Sequence, residues 1–195
     1  MIGMMIPTSD AFITNQIPST SLGTIDIAGH SHFQSPSMAQ AFDSDGNLWV
    51  AENENHRVVK YPADNLGMYG YYTVVLGQYN LGTVVANNGG LSSSSLNIPY
   101  ALAFDSSGDL WVADAGNFRI LKYPAANLST GGAATVALGQ SDLTSAAKGT
   151  TATTLRNATG ITFDSDGNLW TSDKGNSRIL KYPAANLSTG GAATV

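Results

Sequence analysis

Residues 42–63 read FDSDGNLWVAENENHRVVKYPA, and the chain repeats this stretch twice in closely related form. The second version, FDSSGDLWVADAGNFRILKYPA, begins at Phe104, and the third, FDSDGNLWTSDKGNSRILKYPA, begins at Phe163. Self-similarity at this period predicts a unit of supersecondary structure that stacks on copies of itself. Residues shared by all three copies are explained mainly by the building of the repeat. Function is therefore expected in what differs between copies, or in the assembly that the copies make.

The composition indicates a β-rich, turn-rich globular protein. Of the 195 residues, 43% are hydrophobic and only 12% are charged, with a formal net charge of −5. The nine Lys and Arg residues argue against a nucleic-acid partner, because Lys and Arg carry most of the affinity for phosphate. The lack of cysteine excludes disulfides, Cys-ligated zinc and a cysteine nucleophile. The apolar start, MIGMMIP, is too short for a membrane span or a signal peptide.

Each copy of the repeat predicts four short antiparallel strands. In the second copy Gly108 lies in the first turn signal, DSSGD, and Pro124 ends the third strand because proline donates no ladder hydrogen bond. The predicted strands of this copy are 100–104, 110–113, 119–123 and 134–138. A tryptophan recurs in the second strand of every copy, at Trp49, Trp111 and Trp170. Four-stranded antiparallel units with this periodicity predict the blades of a β-propeller, an all-β fold.

The shared pattern, F-D-S-x-G-[ND]-L-W-V-A-D-x-G-N-x-R-[IV]-x-x-Y, closely resembles the NHL repeat. The form is similar to that of large extracellular bacterial and archaeal proteins, and the L-G-Q segments at 76–78 and 138–140 fit it. The resemblance implies a six-bladed propeller, of which three repeats are half, and an extracellular or cell-surface location in a prokaryote. The first copy departs from the pattern, since Glu52 replaces Asp and Glu54, Asn55 and His56 replace Gly-Asn-x.

Alignment of the copies predicts one domain, 1–195, cut within the fourth strand at both ends. The predicted repeats are about 4–73, 74–135 and 136–195. Propellers usually need at least four blades, so three resolutions stay open: a closed six-bladed ring of two chains joined head to tail, a filament, or a segment of a longer chain. The candidate self-association residues are Met4, Met5, Ile6, Ala193, Thr194 and Val195. Residues 119–136 and 178–195 are identical, which indicates either a recent duplication or a self-complementary array with interchangeable interfaces.

An acid, an asparagine and an arginine recur around the second turn of each copy. In the structural explanation, the acid and the asparagine stabilise the second turn, and the arginine pairs with acids in the same blade or the next one. The functional alternative is a polar ring on one propeller face, and the more acidic first copy is the expected place for a ligand or cation. The candidate face-binding residues are Glu52, Glu54, His56, Arg57, Asp114, Asn117, Arg119, Asp173, Asn176 and Arg178.

No catalytic residue, metal site or cofactor is predicted. The D-S-D-G-N turns lack the distal Glu of a calcium loop, and His30 and His32 lack the further ligands that zinc requires. The chain is therefore predicted to be a non-enzymatic binding or structural scaffold that self-associates. One alternative is a fragment of a longer NHL-repeat protein that binds a ligand or protein on the propeller face. Another, implied by the resemblance, is a metal-dependent lyase or hydrolase-like propeller.

Two further features bear on partners. Tyr69, Tyr71, Tyr72 and Tyr79 cluster near the outer strand of the first repeat, where they serve either packing or contact with a subunit or glycan. The segments that start at Asn127, Asn157 and Asn186 match the N-glycosylation pattern, which short sequences also match by chance. The predicted partners are a second copy of the chain and, beyond it, a protein or glycan.

Overall fold

The computed structural model describes residues 39–67 and 70–194, which form three antiparallel sheets. Blade 1 contains β1 (Ala39–Phe42), β2 (Leu48–Glu52), β3 (Arg57–Tyr61) and β4 (Val74–Leu76). Blade 2 contains β5 (Pro99–Phe104), β6 (Leu110–Asp114), β7 (Arg119–Tyr123) and β8 (Val136–Leu138). Blade 3 contains β9 (Ala158–Phe163), β10 (Leu169–Asp173) and β11 (Arg178–Tyr182). Single 3₁₀ turns follow several of these strands.

Strands that are consecutive in sequence are neighbours in each sheet. Blades 1 and 2 are four-stranded, as predicted, whereas the described part of blade 3 has three strands. The start of a fourth strand is nevertheless in place, because the Thr194 amide donates to the Lys181 carbonyl at 2.9 Å. The Thr135 amide makes the same 2.9 Å bond to Lys122 just before β8. The all-β, blade-type prediction is confirmed.

The first turn of each blade is built by one aspartate. In blade 2 the Asp105 carboxylate accepts the amides of Ser107 and Asp109, at 2.9 and 3.1 Å, and the indole Nε1–H of Trp111 at 2.9 Å. Gly108 adopts a φ of +80°, which favours glycine in a tight hairpin. The predicted capped hairpin is therefore what the D-S-x-G turn forms, and it also ties the tryptophan to the strand before it.

The two faces of each sheet serve two different neighbours. In blade 2, Trp111 and Ile120 face blade 3, while Val112 and Tyr123 face blade 1, and all four are fully buried. This alternation follows from the two-residue period of a strand. Two of the three apolar clusters among the described residues therefore lie between blades, one on each side of blade 2. The third, which contains Val50, Val59, Tyr61, Tyr72 and Val75, lies on the other face of blade 1.

One aromatic pair marks each interface between blades. The ring of Trp49 in blade 1 lies edge-on to Phe104 of blade 2, with centroids 6.1 Å apart. Trp111 of blade 2 makes the same contact with Phe163 of blade 3 at 5.9 Å. Edge-to-face pairs of this kind add to the area that they bury. The tryptophan and phenylalanine that recur in every repeat are therefore the two halves of one repeated contact.

Several predictions fall on residues that the structure does not describe. They concern the self-association residues Met4, Met5, Ile6 and Val195, and His30, His32 and Tyr69. Of the other two self-association candidates, Ala193 is buried in the core between blades 2 and 3, and Thr194 is exposed. Among the described residues, no helix has the length and apolar character needed to cross a membrane.

Candidate functional site

The acid, asparagine and arginine of each repeat form a compact cluster at the turn between the second and third strands. In blade 2, Arg119 Nε donates to Asp114 Oδ2 at 2.7 Å, and Asn117 Nδ2 donates to the same oxygen at 2.8 Å. The side chains of Asp114 and Arg119 are 0% exposed. A fully buried ion pair must be satisfied by further hydrogen bonds to be tolerated, and this one is.

Arg119 uses its remaining donors to join loops on both sides of blade 2. Its Nη2 donates to the carbonyls of Ser92 and Ser95, at 3.0 and 2.9 Å, in the loop before the blade. Its Nη1 donates to the carbonyl of Leu143, in the loop after the blade. Arg57 likewise reaches the carbonyl of Leu81, 24 residues onward, at 2.8 Å. The arginine therefore fastens one blade to the loop that leads to the next.

Among the described residues, Arg178 bonds to the loop before its blade but not to a loop after it. Its Nη2 donates to Thr151 and Thr154 at 2.9 and 2.7 Å, and its Nη1 turns to Thr150 of the same preceding loop at 2.6 Å. Its side chain is 24% exposed, whereas that of Arg119 is fully buried. The guanidinium of Arg178 therefore remains accessible on the side where the loop after blade 3 belongs.

The structure places most of the ten predicted face residues inside the molecule. Those that are buried within the clusters are Glu52, Arg57, Asp114, Asn117, Arg119 and Asp173. Glu54 is exposed, and His56, Asn176 and Arg178 are partly exposed. The burial of these six residues favours the structural explanation, because each bonds to another residue of its cluster or to a loop backbone group. The hypothesis of a ligand or cation on this face rests on the other four and stays a prediction.

His56 is the most distinctive of these partly exposed residues. It has a φ of +52°, as do its counterparts Phe118 and Ser177 at +56° and +53°. Its Nδ1 accepts the amide of Ile98 at 3.1 Å, and Ile98 itself has a φ of +52°. Burial lowers the pKa of His56, against the opposing charge of Asp114. The neutral imidazole therefore joins blade 1 to the start of blade 2.

The pKa values of the equivalent carboxylates in blades 2 and 3, Asp114 and Asp173, are shifted in opposite directions. Complete burial raises the pKa of Asp114, although Arg119 and the Asn97 amide act in the opposite direction. Burial also acts to raise the pKa of Asp173, but the amides of Asn157 and Arg156 outweigh it, so this pKa is lowered. The net direction of the shift therefore follows burial at Asp114 and hydrogen bonding at Asp173.

A second device joins the blades at their outer edge. Thr130 Oγ1, in the loop before β8, accepts the amide of Val75 in β4 at 3.3 Å, and the Gly131 amide donates to the Val75 carbonyl at 3.1 Å. One blade onward, Thr189 Oγ1 accepts the Ala137 amide at 3.1 Å, and Gly190 donates to the Ala137 carbonyl at 3.2 Å. We call these Thr-Gly contacts the edge clasps.

The edge clasps give a structural role to two loop positions of the identical segments 119–136 and 178–195, the threonine and the glycine. Each loop meets the same backbone groups of the preceding fourth strand, and each needs a glycine at a φ of +76°, at Gly131 and Gly190. The clasps also satisfy backbone groups that an edge strand would otherwise leave open to unwanted pairing. The sequence reveals that the two segments are identical, but it does not reveal the hydrogen bonds from their threonines and glycines to the preceding blade.

Replacing Thr189 by valine is expected to reduce the free energy of unfolding by about 1–2 kcal/mol, because the buried Ala137 amide loses its partner. Chemical denaturation measures the loss, and hydrogen exchange should show faster exchange of the Ala137 amide. Ser188→Ala, at the exposed neighbouring position, is the matched control and should be close to neutral. If both variants lose the same stability, the clasp does not hold the edge.

The outward face of blade 3 is an uncovered copy of a blade interface. Ile179 is 55% exposed, whereas its counterparts Val58 and Ile120 are 0% exposed. Trp170 is likewise partly exposed, whereas Trp49 and Trp111 are 0% exposed. A shallow groove of about 280 Å³ runs over this face, lined by Gly160, Ile161, Thr162, Trp170, Thr171, Ser172 and Ile179. We call this surface the open face.

Phe42 of blade 1 is the complementary uncovered residue. It is 60% exposed, although Phe104 and Phe163 at the same repeat position pack on tryptophans. Elsewhere on that face of blade 1, Val50, Val59 and Tyr61 are buried. One chain therefore carries a tryptophan on blade 3 and a phenylalanine on blade 1 that correspond to the two halves of the aromatic contact. Within 39–67 and 70–194, neither ring is paired with the other or with a counterpart.

The pKa of Asp164 depends on Trp170, a residue of the open face. The indole of Trp170 and then Asn168 donate to its carboxylate, which lowers its pKa from 3.8 to about 2. Because the folded-state pKa lies below the unfolded one, these bonds stabilise the turn above about pH 4, and that contribution is lost as the pH falls through about 2. In Trp170→Phe, carbon-detected NMR should show Asp164 titrating closer to 3.8.

Asp142 is an internal control in the same titration. Its pKa is also lowered to about 2, but by the Ser145 hydroxyl and by Thr144 in its own loop. Trp170→Phe should therefore leave the titration of Asp142 unchanged. An Asp164 midpoint that also stays unchanged would contradict the role given to the indole.

The remaining candidates from the sequence are the tyrosines of the first repeat and the asparagines of the N-glycosylation pattern. Some of them are buried and others are exposed. Tyr72 is buried, with its hydroxyl donating to the Leu81 carbonyl at 2.9 Å, whereas Tyr71 and Tyr79 are 57% and 59% exposed. Asn127 and Asn186 donate to the carbonyls of Ala133 and Ala192, at 2.9 and 3.0 Å. Across the described residues, no group of three or more acidic or histidine side chains is arranged to hold a metal ion.

Comparison with known families accounts for the repeat. The family model of the NHL repeat matches residues 41–61, 96–123 and 155–182, and each matched segment ends with the third strand of a blade. The chain carries three NHL repeats. This confirms the resemblance inferred from the F-D-S-x-G and G-N-x-R patterns. No curated protein matches the chain.

Solved β-propeller-type structures resemble the NHL repeats of this chain in fold. A streptogramin B lyase matches with a TM-score of 0.51 and 18% identity, over 90% of this chain and 47% of that one. Virginiamycin B lyase from Staphylococcus aureus matches at 0.50 and 18%, over 88% and 46%. A luciferin-regenerating enzyme matches at 0.50 and 14%, over 85% and 50%. The chain thus spans about half the length of these structures.

The prediction that the chain is not an enzyme is wrong, because the repeat architecture on which it was based also occurs in enzymes. Structures that share this fold are named as a lyase and as a luciferin-regenerating enzyme, although the identity is low. The prediction rested on the lack of a convergent polar site in the sequence of three repeats. That reasoning is insufficient because the groups of a propeller site can come from several blades.

Proposed function

We propose that this NHL-repeat chain is an assembly unit, in which copies join head to tail and build a propeller-type binding scaffold. The observation that carries the proposal is the open face of blade 3. Ile179 is 55% exposed where Ile120 and Val58 are fully buried by the next blade. The residues of this face are those of an interface between blades, so the surface that fits it best is another blade.

The proposed occupant is the exposed part of the blade 1 side of a second copy, which is β1, since Val50, Val59 and Tyr61 on that side are already buried within the chain. There Phe42 and Gln40 are exposed on β1, and Phe42 stands at the position from which Phe104 and Phe163 reach the preceding tryptophan. A second copy would bring its Phe42 to Trp170 in the same edge-to-face geometry. Burial of Ile179 and Trp170 favours association, because a large apolar side chain contributes roughly 1.5–3 kcal/mol when fully buried.

A closed ring is the favoured form of the assembly. A head-to-tail contact closes when its rotation returns to the start, and otherwise it produces a filament. The chain spans 47% of a streptogramin B lyase structure, so two copies supply about the length of one such propeller. Closure would also cover the exposed faces of the terminal blades, and radial repetition of blades leaves only short, protected strand edges.

The assembled scaffold would bind its partner on the loop side that carries Glu54 and His56. These two residues distinguish blade 1 from the Gly-x-Phe and Gly-x-Ser segments at 116–118 and 175–177. A protein or a glycan at an extracellular surface is the partner class that we propose. The exposed Tyr71 and Tyr79 offer amphipathic contact area on the same blade.

Replacing Ile179 by aspartate is expected to abolish the assembly, because it places a charge in an apolar interface. The wild-type chain should elute as an oligomer in size-exclusion chromatography with light scattering, and the variant as a 20.3 kDa monomer. The variant should keep its fold, since Ile179 is already 55% exposed within one chain. Circular dichroism and thermal denaturation check that it does.

The matched control is Ala185→Asp, at an exposed position in the turn after β11 and away from the open face. This variant adds the same charge and should assemble like the wild type. If Ala185→Asp dissociates as much as Ile179→Asp, net charge rather than the open face governs association. If the wild-type chain is monomeric, the proposal is wrong.

A further inference from the structure

The junction between blades 1 and 2 contains a hydrogen bond to a histidine that has no equivalent residue at the next junction. Nδ1 of His56, which lies just before β3, accepts the amide of Ile98, which lies just before β5, at 3.1 Å. Between blades 2 and 3 the position of His56 is taken by Phe118, whose ring has no hydrogen-bond acceptor of this kind, and the position of Ile98 by Asn157. The two junctions can therefore be compared as one fold with and without the histidine.

An aspartate binds the equivalent amide at the junction without the histidine. Asp173 Oδ1 accepts two successive amides, those of Arg156 and Asn157, at 3.0 Å each. Asp114 Oδ1 accepts the first amide of the equivalent pair, that of Asn97, at 2.7 Å, and the second amide of the pair goes to the histidine. The imidazole thus replaces one contact of a carboxylate.

The backbone of the two loops differs at the same point. Ile98 has a φ of +52°, which is a strained conformation for a β-branched residue, whereas Asn157 does not have a positive φ. The Gly116 amide donates to the Asn97 carbonyl at 2.9 Å, whereas the Lys174 amide donates at 2.9 Å to the Asn157 carbonyl, one position further along its loop. The loops before β5 and β9 therefore hold two alternative arrangements of equivalent backbone groups.

The arrangement before β5 requires a neutral His56. Because Nδ1 accepts the Ile98 amide, the ring proton is on Nε2. Burial lowers the pKa of His56 from its ordinary value of 6.5, and it outweighs the charge of Asp114, which acts to raise this pKa. A proton on Nδ1 would remove the acceptor and leave two donors facing each other. The ring is partly exposed, so solvent protons reach it.

The charges around His56 come from its own turn and from the cluster of blade 2. The segments 76–78 and 95–98, which also contact this turn, carry no titratable side chain. His56 is therefore the one among these groups whose ordinary pKa lies between about pH 5 and 8. The charged side chains of the turn and of the cluster are Glu52, Glu54, Arg57, Asp114 and Arg119.

We propose that the hydrogen bond from Ile98 to His56 is a proton-sensitive switch between blades 1 and 2. Protonation of His56 at Nδ1 releases the amide, Ile98 leaves its positive φ, and the amide turns to Asp114 Oδ1, as the Asn157 amide does to Asp173. The proline that follows Ile98 favours the change, because it restricts the preceding residue to extended conformations. The switch lies within one chain, so it goes beyond the proposed assembly and does not depend on it.

The test is an NMR titration of the full chain from about pH 8 to about pH 5. The His56 ring should carry its proton on Nε2 at the start and should titrate with a midpoint below 6.5. The Ile98 amide shift should follow that midpoint, and its strong intraresidue NOE to Hα, which is typical of a positive φ, should weaken. A coupling across the new hydrogen bond, from the Ile98 nitrogen to the Asp114 carboxylate carbon, should appear.

Two variants hold the switch in one state each. His56→Asn keeps an acceptor, Oδ1, close to the position of Nδ1 and tolerates a positive φ, so Ile98 should keep its positive φ at every pH. His56→Phe introduces the residue of the next junction, where Phe118 has a φ of +56°, so Ile98 should adopt the released form at every pH. Circular dichroism checks that both variants are folded.

The switch also sets the direction in which stability changes with pH. Because the pKa of His56 is lower in the folded chain than in the unfolded one, its contribution is complete above about pH 6.5 and is lost as the pH falls through the folded-state pKa. The urea midpoint of the wild type should therefore fall relative to that of His56→Asn as the pH decreases from about 6.5.

Four results would overturn the inference. They are an Ile98 amide that does not shift with the titration of His56, a ring proton on Nδ1 at the start, a positive φ of Ile98 in His56→Phe, and equal pH dependence of the wild type and His56→Asn. These results are separate from those of the assembly experiment. A monomeric wild-type chain would refute assembly and leave this titration unchanged, whereas an oligomer in which Ile98 does not respond to pH would retain assembly and refute the switch.

Discussion

Arg119→Met is expected to lower the free energy of unfolding by about 3–5 kcal/mol, because it leaves a buried carboxylate without its partner. Asp114 and Arg119 are both 0% exposed, and methionine fills part of the arginine volume without supplying any donor. The carbonyls of Ser92, Ser95 and Leu143 also lose their donor. Urea denaturation followed by tryptophan fluorescence measures the loss.

Arg178→Met is the matched comparison within the same chain. The arginine makes the same bond to its aspartate, at 2.9 Å, but its side chain is 24% exposed, and Asp173 keeps the amides of Arg156 and Asn157. We expect a loss of about 1–2 kcal/mol, since water replaces part of what the arginine supplies. Equal losses from the two variants would contradict the view that the buried cluster fastens blade 2 to both neighbouring loops.

Trp111→Ala is expected to cost about 3–5 kcal/mol, the usual range for removal of a large buried aromatic side chain. Trp111 is 0% exposed, lies edge-on to Phe163 at 5.9 Å and donates to Asp105 at 2.9 Å. Its loss opens a cavity between blades 2 and 3. The change in urea midpoint, with the slope of the transition as a check on two-state unfolding, measures the effect.

Trp170→Ala separates the contribution of the strand from that of the interface. Trp170 makes the same hydrogen bond, to Asp164 at 2.8 Å, but lies on the open face. At concentrations at which the chain is monomeric, this variant should lose clearly less stability than Trp111→Ala. At concentrations at which the chain assembles, the wild type should gain stability that Trp170→Ala does not, because association stabilises by mass action. Equal losses at both concentrations would show that nothing covers Trp170.

The fold could be predicted from the sequence wherever local chemistry determines it. The turn that begins at Asp105 needs an acceptor, a glycine and a nearby indole, and all three stand in fixed order from Asp105 to Trp111. The strands of blade 2 follow from alternation and from Pro124. The cut within the fourth strand of the third repeat stays a prediction; in the described part of blade 3, the Thr194 amide donates to the Lys181 carbonyl of β11.

What could not be predicted depends on contacts between blades. Asp114 and Arg119 look like surface residues in a sequence, and only the loops folded over them make them 0% exposed. The Thr189 clasp joins residues 52 positions apart, and no periodicity within one repeat reports on it. Ile120 and Ile179 have identical flanking residues, yet one is 0% and the other 55% exposed. Their difference is a property of the stack of blades, not of the repeat.

The central claim is that the open face of blade 3 is an interface that a second copy covers. Its most direct test is the molar mass of the wild-type chain by size-exclusion chromatography with light scattering, across micromolar concentrations. The account predicts twice the 20.3 kDa of one chain for a closed ring, with return to 20.3 kDa in Ile179→Asp. A wild-type mass of 20.3 kDa at every concentration, in a folded chain, would contradict it.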